Sequence, residues 1–467
     1  MAKRILMAHH PSQPPSSSQP MVTPWQYASS LMKSLPRQAP LLSRDERSAA
    51  VLWAGSGAMW LTGHPGQECG QRSLPLAACA VGAWQALDAL SGGRLGGGEQ
   101  AHQLLGERAA IAGLSRQGRV SAGGACHLLD CRDGVLAVNL ARSDDWELLP
   151  AWLESDVHDL PALSGRVAEL ALDYLVERAR LLGLAVAAVV PPTPRNHWFN
   201  CQRLHTPSTT PTRPPLVIDL SALWAGPLCG SLLAQTGARV IKVESSHRPD
   251  GARRGPKAFY DLLNSGKQSV CLDFRSEQGR SQLRRLLSAA DIVIEAARPR
   301  ALRQLGIDAE QLIAEQPGKV WLSITGYGRP EPQGHWIAYG DDAGVAAGLS
   351  WLCGGDSGDP VFCGDAIADP LTGLHSALLA LAYWQAGGGV LLDVALSEVV
   401  GYCITAGNRQ SSELLAALTV SPPSARTLSA GTPLAGTPLV STPLARTTAT
   451  TAADLGADTE QVLRELT

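Results

Sequence analysis

The chain has no Cys-x-x-Cys pair, no apolar run approaching the length of a membrane span, and no Gly-x-Gly-x-x-Gly after its first parallel strand. Each absence removes a class of function. Its ten cysteines (Cys69, Cys79, Cys126, Cys131, Cys201, Cys229, Cys271, Cys353, Cys363, Cys403) are scattered, mostly among apolar residues. They read as reduced core thiols of a cytoplasmic protein, with no metal site. Without an apolar run of about 20 residues no membrane-spanning helix is expected, and Met1 to Met7 shows no apolar core of a signal peptide. A net charge of −3 leaves no basic footprint for nucleic acid. Gly92-Gly93 and Gly96-Gly97-Gly98 are followed by no Lys-Ser/Thr and preceded by no strand, so they read as a joint and not as a phosphate loop. The missing dinucleotide fingerprint argues against a standard nicotinamide or flavin site.

What is present falls into segments. At 467 residues two or three domains are expected. Residues 1–45, rich in Pro, Ser and Gln, are expected to be disordered. Residues 46–92 end at the glycine joint, and a helix is expected near 99–113. Residues 115–190 read as a small α+β domain, with a turn at Asp133-Gly134 and a strand from Val135 to Leu140. Residues 191–214 are Pro-rich and read as a linker. Over 215–404, short apolar strands (216–220, 239–244, 269–273, 291–295, 320–324) alternate with helices. That pattern predicts an α/β, doubly wound parallel sheet with ligand at the carboxyl ends of its strands. Residues 405–453, with three Thr-Pro-Leu copies, read as a tether, and 454–467 as a C-terminal amphipathic helix.

Asp369 carries the most chemistry. It is followed at once by Pro370 and then by the apolar run Leu378, Leu379, Leu381 and Trp384, which puts a carboxylate on the first turn of a buried helix. Locally this is a helix cap with Pro at the first helical position. A second, degraded copy of the region shifts the reading from cap toward chemistry. Ser56–Gly63 lies against Ala347–Gly354 at an offset of 291 residues, from Gly57 to Gly348. The same offset pairs Ala77 with Ala368, Gly82 with Gly373, Ala86 with Ala377, Leu87 with Leu378 and Leu90 with Leu381. It pairs Asp369 with Ala78, so only the second copy can supply a carboxylate. Trp60, Leu61, Trp84 and Leu87 of the first copy are expected to pack against the large domain.

Residues 216–400 resemble the large domain of the family III CoA-transferases, the group of formyl-CoA and carnitine CoA-transferases and α-methylacyl-CoA racemases. The resemblance is carried by Ala225-Gly226-Pro227, Gly237 to Glu244, Asn264 to Ser269, Leu272-Asp273 with Gly279-Arg280, Ile324 to Gly328 and the segment around Asp369. Residues 115–190 resemble the family's small domain, and 455–466 its C-terminus. The resemblance implies a Rossmann-like large domain and transfer of CoA from an acyl-CoA to a free carboxylic acid. Asp369 would be the nucleophile, a carboxylate already ionised at neutral pH, passing through an aspartyl-CoA thioester. Coenzyme A enters as a substrate and not as a resident cofactor. It would lie along the carboxyl edges of strands 216–220 and 239–244, against Trp224, Ala225, Gly226, Lys242 and Glu244. Its diphosphate would meet Arg248, Arg253, Arg254 and Lys257. Ala296-Ala297 stand where the family carries Asn-Phe. Gly123-Gly124 are candidate oxyanion donors.

Two alternatives stay open. A racemase or isomerase of the same family needs an Asp/His pair, and Gly340 of Tyr339-Gly340-Asp341 stands at the position of that His. His335 and His375 read as surface or helix-face residues. The other alternative is a catalytically inactive CoA-binding protein, because the small domain here precedes the large one. Since the family's subunits interlock, the rearranged chain is expected either as a homodimer, which the missing front of the first unit favours, or as a pseudo-dimer closed on itself.

Overall fold

The computed structural model describes residues 22–67, 73–96, 98–209, 212–354, 358–406 and 439–466. Residues 1–21, the Thr-Pro-Leu copy at 432–434 and most of the tether lie outside them. The N-terminal unit is helical: α1 (Pro24–Ser34), α2 (Ala49–Gly55), α3 (Leu76–Ser91), a 3-10 stretch over Gly98–Gly106, and α4 (Glu107–Ala112). A small domain follows, with β1 (Cys126–Cys131), β2 (Gly134–Asn139), α5 (Ser143–Leu153), α6 (Leu160–Ala168), α7 (Leu172–Leu182) and β3 (Ala185–Ala188). Its strands form an antiparallel sheet in the order β1-β2-β3.

The large domain contains β4 (Asn200–Arg203), β5 (Leu216–Asp219), α8 (Ala225–Gln235), β6 (Arg239–Ser245), α9 (Lys257–Asn264), β7 (Gln268–Leu272), α10 (Glu277–Ala289) and β8 (Ile292–Glu295). It continues through α11 (Pro299–Gln304), α12 (Ala309–Glu315), β9 (Val320–Thr325), α13 (Gly340–Ala346), α14 (Leu349–Cys353), α15 (Ala368–Gln385), β10 (Val390–Ala395) and α16 (Leu396–Ile404). A last helix, α17 (Thr459–Leu466), ends the described chain. The seven-stranded sheet runs β4-β10-β9-β8-β5-β6-β7, parallel except for β4. Chain order reverses between β5 and β8, and in a doubly wound sheet that switch point opens the ligand crevice.

Strand alternation builds a core on each face. Val217, Ile292, Ile294 and Leu322 join the face covered by α3, α8 and α15. Ile218, Val293 and Trp321 join the face covered by α10, α12 and α17. Successive side chains point to opposite faces, so a strand buried on both sides reads as a continuous apolar run. α17 covers the edge strand β7, where Asp458 accepts from Ser269 N–H at 2.8 Å and Thr459 from Cys271 N–H at 3.0 Å.

Three expectations change. Residues 22–45 are not structureless. Thr23 and Gln26 form a reciprocal capping box, and Tyr27, Ala28, Leu31 and Met32 bury one face of α1. Composition averaged over the whole segment hid that local pattern. The linker also contributes structure: Asn200–Arg203 pairs with β10, and Trp198 is buried. In the tether, residues 441–446 dock on the N-terminal unit, and Ala452 N–H reaches Asp261 of α9. Ser441 N–H bonds Ala54 carbonyl at 2.8 Å, and Arg446 forks onto Glu107, with one bond at 2.9 Å. Trp84 and Leu87 join the large-domain core as expected, whereas Leu61 packs in a separate cluster with Ala109 and Ala122.

The 291-residue offset also has a structural counterpart. Gly82 and Gly373 each mark a close helix crossing. A β-carbon on Gly373 would lie 2.5 Å from Ala225 carbonyl oxygen of α8, and one on Gly82 would lie 2.6 Å from Pro24 carbonyl oxygen of α1. Thus α1 packs on α3 as α8 packs on α15. Gly57 and Gly348 both have positive φ, 76° and 96°. Each is crossed by a proline, Pro443 and Pro192 respectively. Three residues beyond each proline an arginine faces an offset-matched acid: Arg446 on Glu107, Arg195 on Glu398.

The Gly82 crossing can be tested. Gly82→Ala should lower stability by about 1–3 kcal/mol through overpacking. Gly165→Ala, in a helix with nothing within 4 Å of the new carbon, should not lower it. Denaturant midpoints compare the two; equal midpoints would remove the close crossing.

Candidate active site

Asp369 occupies the second position of α15. Residue Ile367, not Asp369, is the N-cap, and no side chain caps this helix. The Asp369 carboxylate instead receives the N–H of Ala225, the first residue of α8. That helix also has no side-chain cap of its own, so its first-turn N–H groups are orphan donors aimed at the switch-point crevice. Gly226 packs so tightly on Ser221 that no β-carbon fits there. Residue Trp224 is buried, edge-on to Phe259 with ring centroids 5.2 Å apart.

Gly340 is what lets Asp369 sit where it does. A β-carbon at 340 would overlap Asp369 Oδ2, so the carboxylate rests directly on backbone. The histidine that the racemase reading requires at this position has no room. His375 is buried elsewhere, with Nε2 2.8 Å from Tyr27 hydroxyl and Nδ1 2.7 Å from Leu371 carbonyl. His335 binds Glu331 at 3.0 Å.

Of the three non-glycine residues with positive φ among those described, two flank this site: Leu223 (69°) and Ala366 (43°). Left-handed backbone costs energy for a residue with a β-carbon and persists where surrounding bonds hold it. Leu223 N–H is held by Asp250 at 3.0 Å, and Ala366 N–H by Asp341 at 2.8 Å.

Four carboxylates converge. Asp342 and Asp365 are buried, whereas Asp341 and Asp369 keep part of their surface open. Asp365 is gripped by both ends of the Arg108 guanidinium, with Nε at 2.8 Å. Burial pushes Asp341 up to about 6 and Asp369 up to about 7. Neighbouring carboxylates add to both shifts, while Arg108 opposes them. Asp369 is therefore not fully ionised at neutral pH, because the N–H of Ala225 and Arg108 do not outweigh desolvation. Arg108 comes from α4 of the N-terminal unit and was missed in the sequence. The signal was present: the 291-residue offset pairs Glu107 with Glu398 but Arg108 with Val399.

The small domain closes over the same place. Ser121 hydroxyl bonds Asp341, and Gly123 lies so close that a β-carbon on it would be 3.1 Å from Arg108 Nη2. The Gly123-Gly124 turn thus sits at the rim of the acidic cluster.

The residues assigned to coenzyme A divide. Ala296 and Ala297 leave the carboxyl end of β8 at the switch point, opposite Trp224–Gly226. Arg248 and Arg254 are exposed on the loop after β6. Arg298 is depressed by burial and by Arg300, Arg142 and Arg248, so cations from several loops gather near one another. Lys242 and Glu244 correct the expectation. Lys242 is buried, with Nζ 2.9 Å from Asp250 and 2.8 Å from Ser221 carbonyl. Glu244 is buried against Arg253, which forks onto it and lies 4.5 Å from the Tyr260 ring. Lys242 is spent on Asp250 and Glu244 on Arg253, and the two pairs hold the loop in shape. Lys257 pairs with Asp261 at 2.7 Å.

Asp342 on α13 accepts from Asn139 Nδ2 of the small domain at 3.0 Å, and burial pushes it up to about 7. Asp342 Oδ2 and Asn139 Oδ1 are both buried without a protein partner. A proton on Asp342 gives the pair one donor for two acceptors and relieves both. The folded value lies above the ordinary one near 4, so the stabilisation is complete below pH 4 and lost as pH rises through about 7. Asp342→Asn should remove that loss, so its advantage in melting temperature should grow from pH 5 to pH 8. A difference that is the same at both pH values would show that Asp342 does not titrate there.

Part of the chain is similar in sequence to known proteins. Residues 215–412 match the model of CoA-transferase family III. A succinate–glutarate CoA-transferase of Agrobacterium fabrum is 34% identical over 208 residues, which cover 40% of this chain and 52% of that protein. A succinyl-CoA–D-citramalate CoA-transferase of Chloroflexus aurantiacus is 31% identical, covering 39% and 48%. The chain thus spans about half the length of these relatives. A solved CaiB/BaiF family protein from Brucella suis is 33% identical over 45% of this chain and 58% of that one, with a TM-score of 0.40. The similarity to CoA-transferase family III is thus carried by residues 215–412.

Proposed function

We propose that the protein is a CoA-transferase that moves CoA from an acyl-CoA thioester to a free carboxylic acid, with Asp369 as the nucleophile. The observation that carries this reading is the placement of Asp369 at the uncapped N-terminus of α8, beside the switch point of the sheet. The named activities of the relatives support the reaction class.

The Asp369 carboxylate attacks the thioester carbonyl, forming an acyl–aspartyl anhydride and expelling CoA thiolate. The thiolate attacks the aspartyl carbonyl, releasing the first acid and leaving an aspartyl-CoA thioester. The acceptor acid attacks that thioester to form a second anhydride and thiolate. Attack of the thiolate on the new acyl carbonyl gives the product thioester and restores Asp369. No redox step or metal enters this balance. First-turn N–H groups of α8 stabilise negative charge at Asp369 and at the oxyanions derived from it. Gly340 leaves the carboxylate unobstructed on its backbone side. The small-domain turn at Ser121–Gly124 shields the anhydrides and the thioester from water. The gathered cations Arg248, Arg298 and Arg300 suit the phosphates of CoA.

Because the nucleophile must be ionised and Asp369 sits at about 7, acylation should rise between pH 6 and pH 8. Mixing the protein with a panel of acyl-CoA esters and quenching into hydroxylamine should give a hydroxamate at Asp369, located by peptide mass. Asp369→Ala and Asp369→Asn should lower turnover by about a thousandfold or more while the fold is kept. Wild-type turnover in Asp369→Ala would end the proposal.

A further inference from the structure

The proposed nucleophile is embedded in an acidic cluster whose paired cation, among the described residues, lies outside the stretch that matches family III. Arg108 lies on α4, outside residues 215–412. Its guanidinium reaches across the unit boundary to grip Asp365 with two N–H groups, and it stands 5.6 Å from the centre of the Trp224 ring. Asp341 and Asp369 both feel its charge. Helix α4 is itself fixed by the C-terminal segment, because Arg446 forks onto the fully buried Glu107 next door. α9, packed on α4, brings Lys257 and Asp261, which pair with each other, and Tyr260, which faces Glu244. None of these replaces Arg108 at the cluster. The offset-matched position, Val399, shows that this place in the fold does not need a charge.

We propose that Arg108, supplied by the N-terminal unit, is the positioning residue of the Asp369 site: its guanidinium neutralises and orients Asp365, and so leaves Asp369 the carboxylate that reacts. This rests on the CoA-transferase reading above. It also gives the rearranged chain a reason to keep its N-terminal half, which completes in one chain a site whose own domain lacks the cation.

The sign of the effect is fixed. Arg108 favours the charged forms of Asp369 and Asp341, so its removal should raise the pH at which Asp369 ionises. In single-turnover reactions with the acyl-CoA that labels the wild type, Arg108→Gln should move the acid limb up by about one unit or more, with partial recovery of rate at high pH. Arg108→Lys keeps the charge without the fork, and should leave the limb near its wild-type place at a reduced rate. If Arg108→Gln does not fold, Arg108→Gln with Asp365→Asn removes both buried charges and should fold. Because the neighbouring carboxylate is then also gone, its limb should rise by less. A wild-type limb and rate in a folded Arg108→Gln or in the double variant would overturn the proposal.

A second measurement does not depend on turnover. The stability difference between wild type and Arg108→Gln, or the double variant, should grow from pH 5 to pH 8. That growth should shrink when Asp369→Asn is added to both partners. The same difference at both pH values, or growth unaffected by Asp369→Asn, would overturn the role of Arg108. Failure to label wild-type Asp369 with any acyl-CoA counts against the CoA-transferase reading alone, since the stability comparison still decides Arg108.

Discussion

Asp341, Asp342, Asp365 and Asp369 crowd one end of the sheet, and the Arg108 guanidinium from another part of the chain meets three of them, Asp341, Asp365 and Asp369. Like charges at such spacing cannot all ionise in a partly dehydrated site. The structure resolves the conflict unevenly. Asp365 takes both arms of Arg108, Asp342 takes the small-domain amide of Asn139, and Asp341 takes Ala366 N–H and Ser121 hydroxyl. Asp369 keeps one backbone N–H and part of its surface open. The carboxylate with the fewest obligations is the one at the mouth of the crevice. Three separate segments must dock to produce that outcome, so the electrostatics of the site and the assembly of the chain are one problem.

That assembly follows an internal pattern. The left-handed glycines Gly57 and Gly348 each receive a proline from a distant segment, and an arginine three residues on meets an acid at the matched offset. Gly82 and Gly373 let a long helix approach a neighbour's backbone in both halves. The N-terminal unit keeps the packing grammar of the large domain but not its carboxylate, since Ala78 stands where Asp369 does. It also places Arg108 of α4 against Asp365 of the large domain. In this arrangement the linker and the tether are straps, each pinned by a proline and an arginine.

The crevice loop shows how burial redirects charge. Lys242, Glu244, Asp250 and Arg253 look in sequence like ligand-facing polar residues after a strand. In the fold they pair with each other, because β6 is central and its flanking loop returns over its own end. Breaking such buried pairs leaves an uncompensated charge, which makes them structural even at the edge of a ligand site. Of the described arginines on these loops, Arg248, Arg254 and Arg300 stay exposed, and Arg298 is half-buried.

The sequence by itself determined the doubly wound sheet, because strands buried on both faces are written as short apolar runs separated by helices. It also singled out Asp369 as a candidate, because an acid before Pro at the head of an apolar helix is local and its degraded twin lacks it. It could not show that α1 is ordered, since a capping box and one apolar stripe were averaged into a Pro-rich segment. Nor could it show that residues 200–203 join the sheet, because edge pairing depends on what the strand meets. Arg108 was the deepest omission. Within α4 only the broken offset match to Val399 sets it apart, and it is the packing of α4 against Asp365, some 250 residues away along the chain, that brings it to the cluster. Patterns repeated along the chain reveal faces and helices; which charge meets which is settled only when distant segments share one desolvated space.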